Sequence, residues 1–229
     1  MNRRGKKYNR QITKALENRR LLEALHRFGE AYLVSREKVF REYDFDFDSL
    51  RQEIKKIKDK AIENNRELLD QFTSNAEKAG ATVFFAETAG DVNRYITELA
   101  VKKGVKKVVK SKSMVSEEID LNRKLITSGV SVNETDLGEW IVQLADQRPS
   151  HMVLPAIHMF RDQVAGLFSR ETGRNEPPRI EHLVNVARKK LRKEYLESDM
   201  GITGANIAVA ENGSIVLVTN EGNARLVST

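Results

Sequence analysis

The sequence contains no cysteine, and it has only four prolines and one tryptophan among 229 residues. The absence of cysteine excludes disulfides, thiolate nucleophiles and cysteine-ligated clusters within this chain, and it agrees with a reducing compartment. No apolar run approaches the roughly 20 residues that cross a bilayer, and no apolar signal segment follows the basic N-terminus. We therefore expect a cytoplasmic protein without a transmembrane segment.

Basic residues near the N-terminus account for most of the net charge of +6. A basic tail can contact phosphates nonspecifically, but a solvated terminus is the simpler interpretation. A second basic cluster, 188–193, falls in a predicted helix whose apolar positions recur at helical spacing, so its cations should form the outer face. We predict no nucleic-acid binding. The N-terminal cations are Arg3, Arg4, Lys6, Lys7 and Arg10.

The spacing of apolar residues changes at Gly80. Before it, apolar residues recur at helical intervals over 12–28 and again over 50–76, with Asp48 or Ser49 as the cap of one long second helix. After it, short apolar runs alternate with helical segments. We predict an N-terminal helical segment over 1–79 and an α/β domain over 80–229.

The α/β part is predicted to contain a mainly parallel sheet with flanking helices. Two further apolar runs near the end, 207–210 and 215–218, are typical of buried strands. The helices are expected from about 91 to 103, 116 to 128, 136 onward, 159 to 170 and 179 to 198. The earlier strands are expected at 81–86, 105–110, 130–133 and 151–154.

Ligands of open parallel sheets bind beyond the carboxyl ends of the strands, so the segments that follow the strands matter most. Lys110, Ser111, Lys112 and Ser113 follow one predicted strand and offer ammonium groups, hydroxyls and helix N–H groups to a phosphate or carboxylate. The glycines of a P-loop are missing. An exposed turn with Ser116 as helix cap is an equally good interpretation. The other segments are 87–90, 135–139, 155–158 and 220–225.

His158 is the histidine of a predicted loop after a strand, where it can act as a base, an acid or a ligand-contacting donor. A structural histidine is the alternative. Asp136 is best explained as a helix cap, while Glu139 either completes the capping box or reaches the same cleft. His26, His151 and His182 show no metal-ligand spacing with His158, so we predict no metal site.

The segment 201–226 places several polar clusters beside strand ends. Glu211 to Ser214 has the composition of a hairpin turn, which its spacing favours. The functional alternative makes Glu211 a catalytic carboxylate, with Gly213 allowing the close approach of a ligand. Arg225 adds a cation suited to carboxylate or phosphate recognition. The remaining ligand-binding candidates are Asn206, Glu221, Gly222 and Asn223.

Six ordered segments carry a resemblance to a known family. They are KSKSMVSEEIDLN (110–122), ETDLGEWIVQL (134–144), PSHMVLPAIH (149–158), GITGAN (201–206), AENGSIVLV (210–218) and NEGNARL (220–226). Together they resemble the LUD domain, in the form that occurs in an iron-sulfur subunit of bacterial L-lactate-oxidising systems. The resemblance implies a fold similar to that of glucosamine-6-phosphate deaminase, ribose-5-phosphate isomerase and CoA transferases. The turn 211–213 also looks like the Glu-Asn-Gly turn that carries the catalytic glutamate of some CoA transferases.

The resemblance further implies that this chain is the N-terminal part of a longer protein. In such subunits the LUD domain is followed by a ferredoxin-like region with two cysteine-rich motifs that bind 4Fe-4S clusters. We therefore expect no cofactor within this chain, and clusters in a C-terminal region that it lacks. The expected partners are other subunits of the lactate-utilization complex.

The leading hypothesis is a LUD domain in an oxidoreductase complex that converts L-lactate to pyruvate, with a small anion such as lactate, pyruvate, a nucleotide or a CoA-like molecule at the strand ends. Lys110, Lys112, Ser113, His158 and Arg225 would hold the anion, and Asn206, Glu211, Glu221 and Asn223 would complete the cleft. One alternative is a noncatalytic assembly module that docks partner subunits through helices in 8–76. Another is an acyl-transfer or phosphosugar enzyme of the same fold with Glu211 as the acting carboxylate.

Overall fold

Helices predominate in the computed structural model, which describes residues 3–43, 46–219 and 221–229. The side chains of residues 3–7 and 11 lie outside this description, and so do the predicted roles of Arg3, Arg4, Lys6 and Lys7. The N-terminal part forms α1 (Arg3–Glu17), α2 (Arg19–Glu42), α3 (Phe47–Glu63) and α4 (Asn65–Lys78). The helical prediction is confirmed there, but the helix predicted over 12–28 is divided at Asn18 into α1 and α2, and the long second helix is divided at Asn64 into α3 and α4.

Helix caps explain where these helices begin. The Asn18 side chain accepts a hydrogen bond from the Leu21 amide at the start of α2. Asp46 caps α3 by accepting from the amides of Asp48 and Ser49, so the predicted cap at Asp48 or Ser49 is wrong. A carboxylate one step before the first helical residue reaches the free amides of the first turn, which a residue inside the turn cannot do as well.

A parallel three-stranded sheet lies at the centre of the remaining part. Its strands are β1 (Lys107–Lys110), β2 (Ser131–Glu134) and β3 (Met200–Ile202), in the order β2-β1-β3. Val108 pairs with Val132 on one side and with Met200 on the other, and both pairings are parallel. All three strands therefore end at the same edge of the sheet. The prediction of an α/β fold with a parallel sheet and flanking helices is confirmed.

The helices around the sheet follow the predicted alternation with some changes. They are α5 (Ala89–Lys102), α6 (Met114–Glu118), α7 (Leu121–Thr127), α8 (Leu137–Leu144), α9 (Arg161–Thr172), α10 (Ile180–Glu197) and α11 (Asn223–Ser228). The single helix expected at 116–128 is divided into α6 and α7, because Asp120 adopts a left-handed conformation with φ 56°. The cap of α6 is Ser113 and not Ser116, whose amide donates to the Ser113 hydroxyl.

Two apolar clusters hold this part together. Val108 and Val132 of the sheet pack with Ala100 of α5 and Leu125 of α7. Trp140 of α8 packs against Phe168 of α9 in the second cluster, which α10 completes with three buried side chains. Burial of each large apolar side chain contributes about 1.5–3 kcal/mol. The two clusters therefore fix the helices that surround the strand ends. The α10 side chains are Leu183, Ala187 and Leu191.

Two predicted strands are absent from the described residues. Residues 81–86 form an irregular segment without a pairing strand, and Phe84 instead stacks on Tyr95 of α5 with ring centroids 4.1 Å apart. Segment 87–90 accordingly opens α5, where Thr88 and Asp91 form a capping box. Residues 151–154 bend, and the His151 Nδ1 accepts from the amides of Val153 and Leu154. A short apolar run cannot show whether a neighbouring strand is available.

The closing apolar runs form a separate antiparallel hairpin of β4 (Ile207–Val209) and β5 (Ser214–Val216). The hairpin turn at 211–213 is confirmed, but the expected burial is wrong, since Ile207 is 56% exposed. The third strand of the parallel sheet is β3, which the sequence did not indicate. Gly201 in β3 allows a close approach of α11, since a Cβ there would lie 1.9 Å from the Val227 carbonyl oxygen.

The hairpin connects the N-terminal helices to the rest of the structure. The Asn75 amide of α4 donates to the carbonyl oxygens of Ala210 and Glu211 at 3.0 and 3.1 Å. Phe28 of α2 also lies edge-on to the His151 ring, with centroids 6.0 Å apart. The division at residue 80 stays a prediction. No helix in the described part of the chain is long and apolar enough to span a membrane.

Candidate functional site

The parallel strands bring three polar segments together at one edge of the sheet. Ser111 follows β1 and its amide donates to the Ile202 carbonyl of β3 at 2.9 Å. Its hydroxyl lies 2.6 Å from the Thr203 hydroxyl. Thr135, which follows β2, donates from its amide and its hydroxyl to the Lys110 carbonyl, each at 2.9 Å. The segment 110–113 is therefore at the centre of this edge, as the sequence predicts for a ligand site.

Lys110 is the last residue of β1, and its side chain is fully buried (0% exposed). Its ammonium lies 2.9 Å from Glu134 Oε1 of β2 and 2.9 Å from the Ser116 hydroxyl. A second carboxylate, Glu117, is 3.7 Å away. These partners offset the cost of removing the ammonium from water. Lys110 is thus held inside the site and is not open to a ligand in this conformation.

Glu134 is buried beside Lys110 and is a site residue that the sequence reading missed. The Asn122 amide donates to Glu134 Oε1 at 2.6 Å, while Oε2 has no hydrogen-bond partner in the described part of the chain. Burial raises the pKa of Glu134, and the Lys110 ammonium and the Asn122 amide act against that increase. Its place directly after the predicted strand 130–133 was the available signal for this residue, since segments that follow parallel strands form the strand-end site.

Lys112 and Glu139 form a second ion pair near the surface of the same site. Their charged atoms are 3.3 Å apart, and the Lys112 ammonium also donates to the Val153 carbonyl at 3.4 Å. The Lys112 side chain is 25% exposed, whereas that of Glu139 is 4% exposed. Burial raises the pKa of Glu139, followed by the nearby charge of Glu117, and the Lys112 ammonium opposes both.

Glu139 takes one of the two roles that its sequence position allows, since its carboxylate reaches the cleft and does not complete the capping box. Its amide donates to the Asp136 side chain at 3.1 Å, which confirms Asp136 as the cap of α8. Its carboxylate turns to Lys112 instead of completing the capping box. The cap thus orients the first turn of α8 so that a buried carboxylate reaches the strand ends.

The segment before α11 closes the site from the other side. Glu221 Oε2 accepts from the Leu137 amide at 3.2 Å, and burial raises the pKa of Glu221, followed by the nearby charge of Asp136. The Asn223 amide reaches the Thr135 hydroxyl at 3.4 Å. Gly222 caps α11 with φ 73°. Asn220 of this turn lies outside the described residues. The structure therefore places Glu221, Gly222 and Asn223 beside the end of β2.

His158 lies in the loop between α8 and α9 with both ring nitrogens occupied. Nδ1 is 2.6 Å from the Ser150 hydroxyl, and Nε2 is 2.7 Å from Gln147 Oε1. Burial lowers the pKa of His158, so the neutral ring is favoured. These contacts match the structural alternative for this histidine, and its catalytic role stays a prediction.

The hairpin candidates are not joined to the strand-end pairs by any hydrogen bond or ion pair among the described residues. Asn206 Oδ1 accepts from the Val218 amide at 2.8 Å within the hairpin. The Glu211 side chain is exposed at the hairpin tip. A Cβ on Gly213 would lie 2.3 Å from the Ala76 nitrogen, so its small size serves packing against α4. Arg225 is exposed and forms no ion pair with a described residue.

The assembled site has a negative net charge, which the sequence analysis does not predict. It contains two cations, Lys110 and Lys112, and both are already paired. An anionic ligand therefore has to compete with carboxylates of the protein, or bind when one of them is protonated. The carboxylates of the site are Glu117, Glu134, Asp136, Glu139 and Glu221.

Comparison with known proteins gives one family and a set of relatives. The family model of the LUD domain matches residues 69–229. Lactate utilization protein B of Lysinibacillus sphaericus is 44% identical over 223 residues, which are 97% of this chain and 47% of that protein. Lactate utilization protein B of Oceanobacillus iheyensis is 42% identical over 226 residues, which are 97% of this chain and 46% of that protein.

A third relative agrees with these two. Lactate utilization protein B of Geobacillus sp. strain WCH70 is 50% identical over 173 residues, which are 75% of this chain and 36% of that protein. The chain spans about half the length of the first curated relatives that it matches. No solved structure matches the chain.

Proposed function

This chain belongs to the LUD domain family, and on that premise we propose that it serves lactate utilization as part of a longer protein similar to lactate utilization protein B. Its part is to hold a small carboxylate, L-lactate or pyruvate, where the three parallel strands end. Lys112 carries this proposal, because its side chain is 25% exposed and its ammonium lies beside Glu139, in the segment that follows β2. Ammonium groups are suited to carboxylates.

The carboxylate would replace Glu139 as the partner of Lys112. Because burial and Glu117 raise the pKa of Glu139, this carboxyl group accepts a proton more readily than an exposed glutamate does. Protonation of Glu139 would release the Lys112 ammonium for the ligand. Lys110 would contribute its positive charge from behind, without contact, because it is fully buried.

The oxidation of L-lactate to pyruvate is proposed for the intact complex and not for this chain alone. The residues present do not fit a 4Fe-4S cluster, because the chain has no cysteine. We therefore propose that such clusters belong to another part of the longer protein, and that other subunits of the complex are the partners. We also propose the fold shared by glucosamine-6-phosphate deaminase, ribose-5-phosphate isomerase and CoA transferases, supported by the parallel sheet and its helices.

Calorimetric titration of the purified chain with L-lactate, pyruvate, ADP and coenzyme A tests the site. Lys112→Ala should weaken binding of the carboxylates about tenfold or more, because one charge-assisted contact is lost. Lys107→Ala is the matched control, since Lys107 lies at the opposite end of β1 in an exposed pair with Glu197. Unchanged affinity in Lys112→Ala would overturn the site. The role assigned to Glu211 in an acyl-transfer enzyme would require that Glu211→Gln abolishes a measured turnover.

A second candidate is an assembly module, which the exposed face of α2 favours. No described side chain of this helix is buried. Its apolar stripe has members three and seven residues apart, a spacing that keeps them on one face, as in a helix that packs against another helix. The stripe consists of Leu22, Leu25, Tyr32 and Val39.

Co-purification of the tagged chain with other lactate-utilization subunits tests this second candidate. Leu25→Glu with Tyr32→Glu should abolish the association, because both charges fall in the stripe. Val34→Glu is the control, since Val34 is exposed on the opposite side of α2. Association that survives the stripe variant, or a deletion of residues 1–79, would contradict the assembly role.

A further inference from the structure

A concave surface lies away from the strand ends, between the end of α9 and one face of α10. Its main depression measures about 530 Å³. A second depression of about 480 Å³ adjoins it, because His182 and Asn185 line both. None of the lining residues belongs to the strand-end site. The volume is within the usual range of small-molecule sites. The proposed carboxylate site does not use this surface.

Hydrogen bonds fix one rim of the depression before any ligand arrives. Glu176 accepts from the Thr172 hydroxyl at 2.9 Å and from His182 Nε2. The Glu176 amide donates to the Ser169 hydroxyl at 2.9 Å. The His182 contact is the largest cause of a lowered pKa of Glu176. The loop after α9 is therefore held against α10 by a network that includes both its backbone and its side chains.

The lining is cationic. It contains Arg174 from the loop and Lys189, Lys190 and Lys193 from α10, against the single carboxylate of Glu176 among the residues that line it. Carboxylates partly neutralise two of these lysines, since Lys190 pairs with Glu171 at 3.0 Å and Lys193 pairs with Glu197 at 3.8 Å. In the part of the chain that the structure describes, no carboxylate lies within 4.0 Å of the charged groups of Arg174 or Lys189.

The depression divides the basic cluster at 188–193 into two sets. All four of Arg188, Lys189, Arg192 and Lys193 are exposed, as the outer-face interpretation predicts. Lys189 and Lys193 line the depression, whereas Arg188 and Arg192 do not. Lys189 and Lys193 are one helical turn apart, so their Cα atoms are separated by about 6 Å along the axis. Two ammonium groups at this spacing can hold a single di- or triphosphate from one side.

We propose that this depression binds the phosphate groups of a small organic anion of the nucleoside diphosphate class. Arg174 and Lys189 supply charges without a carboxylate partner within ion-pair distance, and Lys193 extends the cationic wall by one turn. Val186 and the lysine methylene groups provide apolar surface for the organic part of the ligand. A phosphate is favoured over a monocarboxylate because it carries more charge and more acceptor oxygens for several converging donors.

Calorimetry with the intact chain at about 0.1 M salt tests the proposal, with ADP, inorganic pyrophosphate and adenosine as probes. Lys189→Gln with Lys193→Gln should weaken binding of ADP and pyrophosphate about tenfold or more. Arg188→Gln with Arg192→Gln is the matched control, because it removes the same charge from the same helix outside the depression. It should change the affinity less than about twofold. Adenosine, which lacks phosphate, should bind at least about tenfold more weakly than ADP.

Two results would overturn the proposal. One is the absence of detectable binding of ADP and pyrophosphate to the unaltered chain at millimolar concentration. The other is an equal loss in both double variants, which would indicate a diffuse charge effect of the kind expected for a nucleic acid or an acidic surface. Thermal melting of both variants should match that of the unaltered chain, since all four side chains are on the surface. Carboxylate binding at Lys112 should be unchanged in both variants, which separates this proposal from the previous one.

Discussion

Helices α2 and α8 show that the same kind of apolar pattern can lead to opposite environments. The eight residues of α8 include four that are buried, whereas the 24 residues of α2 include no buried residue among those described. α8 lies between the sheet and α9, so its apolar side chains reach a ready surface. Amphipathicity prepares a face for burial, but an opposing surface decides whether burial occurs.

Ion pairs also differ between the N-terminal helices and the α/β part of the chain. Those of α2 and α3 join residues three or four apart and are largely exposed, as in Lys55 with Asp59. The pair of Lys110 and Glu134 joins neighbouring strands and is almost completely buried. Exposed pairs contribute about 0–1 kcal/mol, while the loss of one partner of a buried pair is far more costly. The two regions therefore differ both in how their apolar side chains pack and in how deeply their ion pairs are buried.

The largest contrast is expected between apolar truncations in the two regions. Phe168→Ala should lower the free energy of unfolding by about 4 kcal/mol, because the ring is fully buried against Trp140. Tyr32→Ala should change it by less than about 0.5 kcal/mol, because Tyr32 is 57% exposed on α2. Chemical denaturation measures both. Similar losses would show that the α2 stripe is packed within the isolated chain.

Charge removal should give the next largest contrast. Lys110→Met should lower the free energy of unfolding by about 3 kcal/mol, because Glu134 is left buried without its cation. Lys55→Met on α3 should cost less than about 0.5 kcal/mol. The double variant Lys110→Met with Glu134→Leu should recover part of the stability, since no unpaired charge then remains. A double variant less stable than Lys110→Met would contradict this account.

Gly213→Ala tests the contact that joins the two regions. The new methyl group would overlap the backbone of Ala76, and the backbone there has φ 74°. We expect a loss of about 2 kcal/mol and faster amide exchange in the hairpin. Gly104 has φ 69°, and a Cβ added there would meet no atom within 4 Å, so Gly104→Ala measures the conformational strain alone. Equal effects of the two substitutions would show that the contact with α4 contributes nothing.

Carboxyl groups in the two regions should give pH dependences of opposite sign. The pKa of Glu139 is raised in the fold, mainly by burial, so the folded state binds its proton more tightly than the unfolded state does. Its contribution therefore favours folding at low pH and is lost as pH rises above about 4.5 through the folded pKa. Glu139→Gln should remove this decline from the profile of unfolding free energy against pH.

Asp46 gives the opposite case in the N-terminal region. Its pKa is lowered by the hydroxyl and amide of Ser49, so its contribution is present above the unfolded pKa and is lost as pH falls below about 3.8. Asp46→Asn should remove that loss at acid pH. These are the smallest effects of the series, because Lys112 offsets part of the burial of Glu139 and Asp46 is exposed. The profile of each variant is subtracted from that of the unaltered chain, and differences of the same sign at the two sites would contradict the assignment.

The predicted position of segment 110–113 was correct, because it depended on the end of a parallel strand. The segment follows β1, the central strand of the sheet, and its last residue caps α6. Both the strand and the start of the helix are visible in the local sequence, so this position could be predicted. Glu134 was missed although it ends the neighbouring strand, since nothing in its own segment shows that Lys110 is its partner. His158 was assigned to a loop correctly, but the side chains that engage its ring could not be foreseen from periodicity.

The errors in the fold have the same origin. Residues 81–86 and 151–154 have strand-like composition, but no strand edge lies beside them in the described structure. β3 was missed because three residues, one of them glycine, carry little periodic signal. Its strand conformation depends on pairing with β1.

By itself the sequence determined the N-terminal helices, the α-β alternation after Gly80, the cap of α8 and membership in the LUD domain family. These features depend on local spacing and on ordered motifs, which a chain carries whether or not it is folded. Only the tertiary structure decided that Glu134 pairs with Lys110, that Gly213 serves α4, and that Lys189 and Lys193 line a depression while Arg188 and Arg192 do not. Those outcomes depend on contacts between distant segments, which exist only when the packed sheet and helices bring the side chains together.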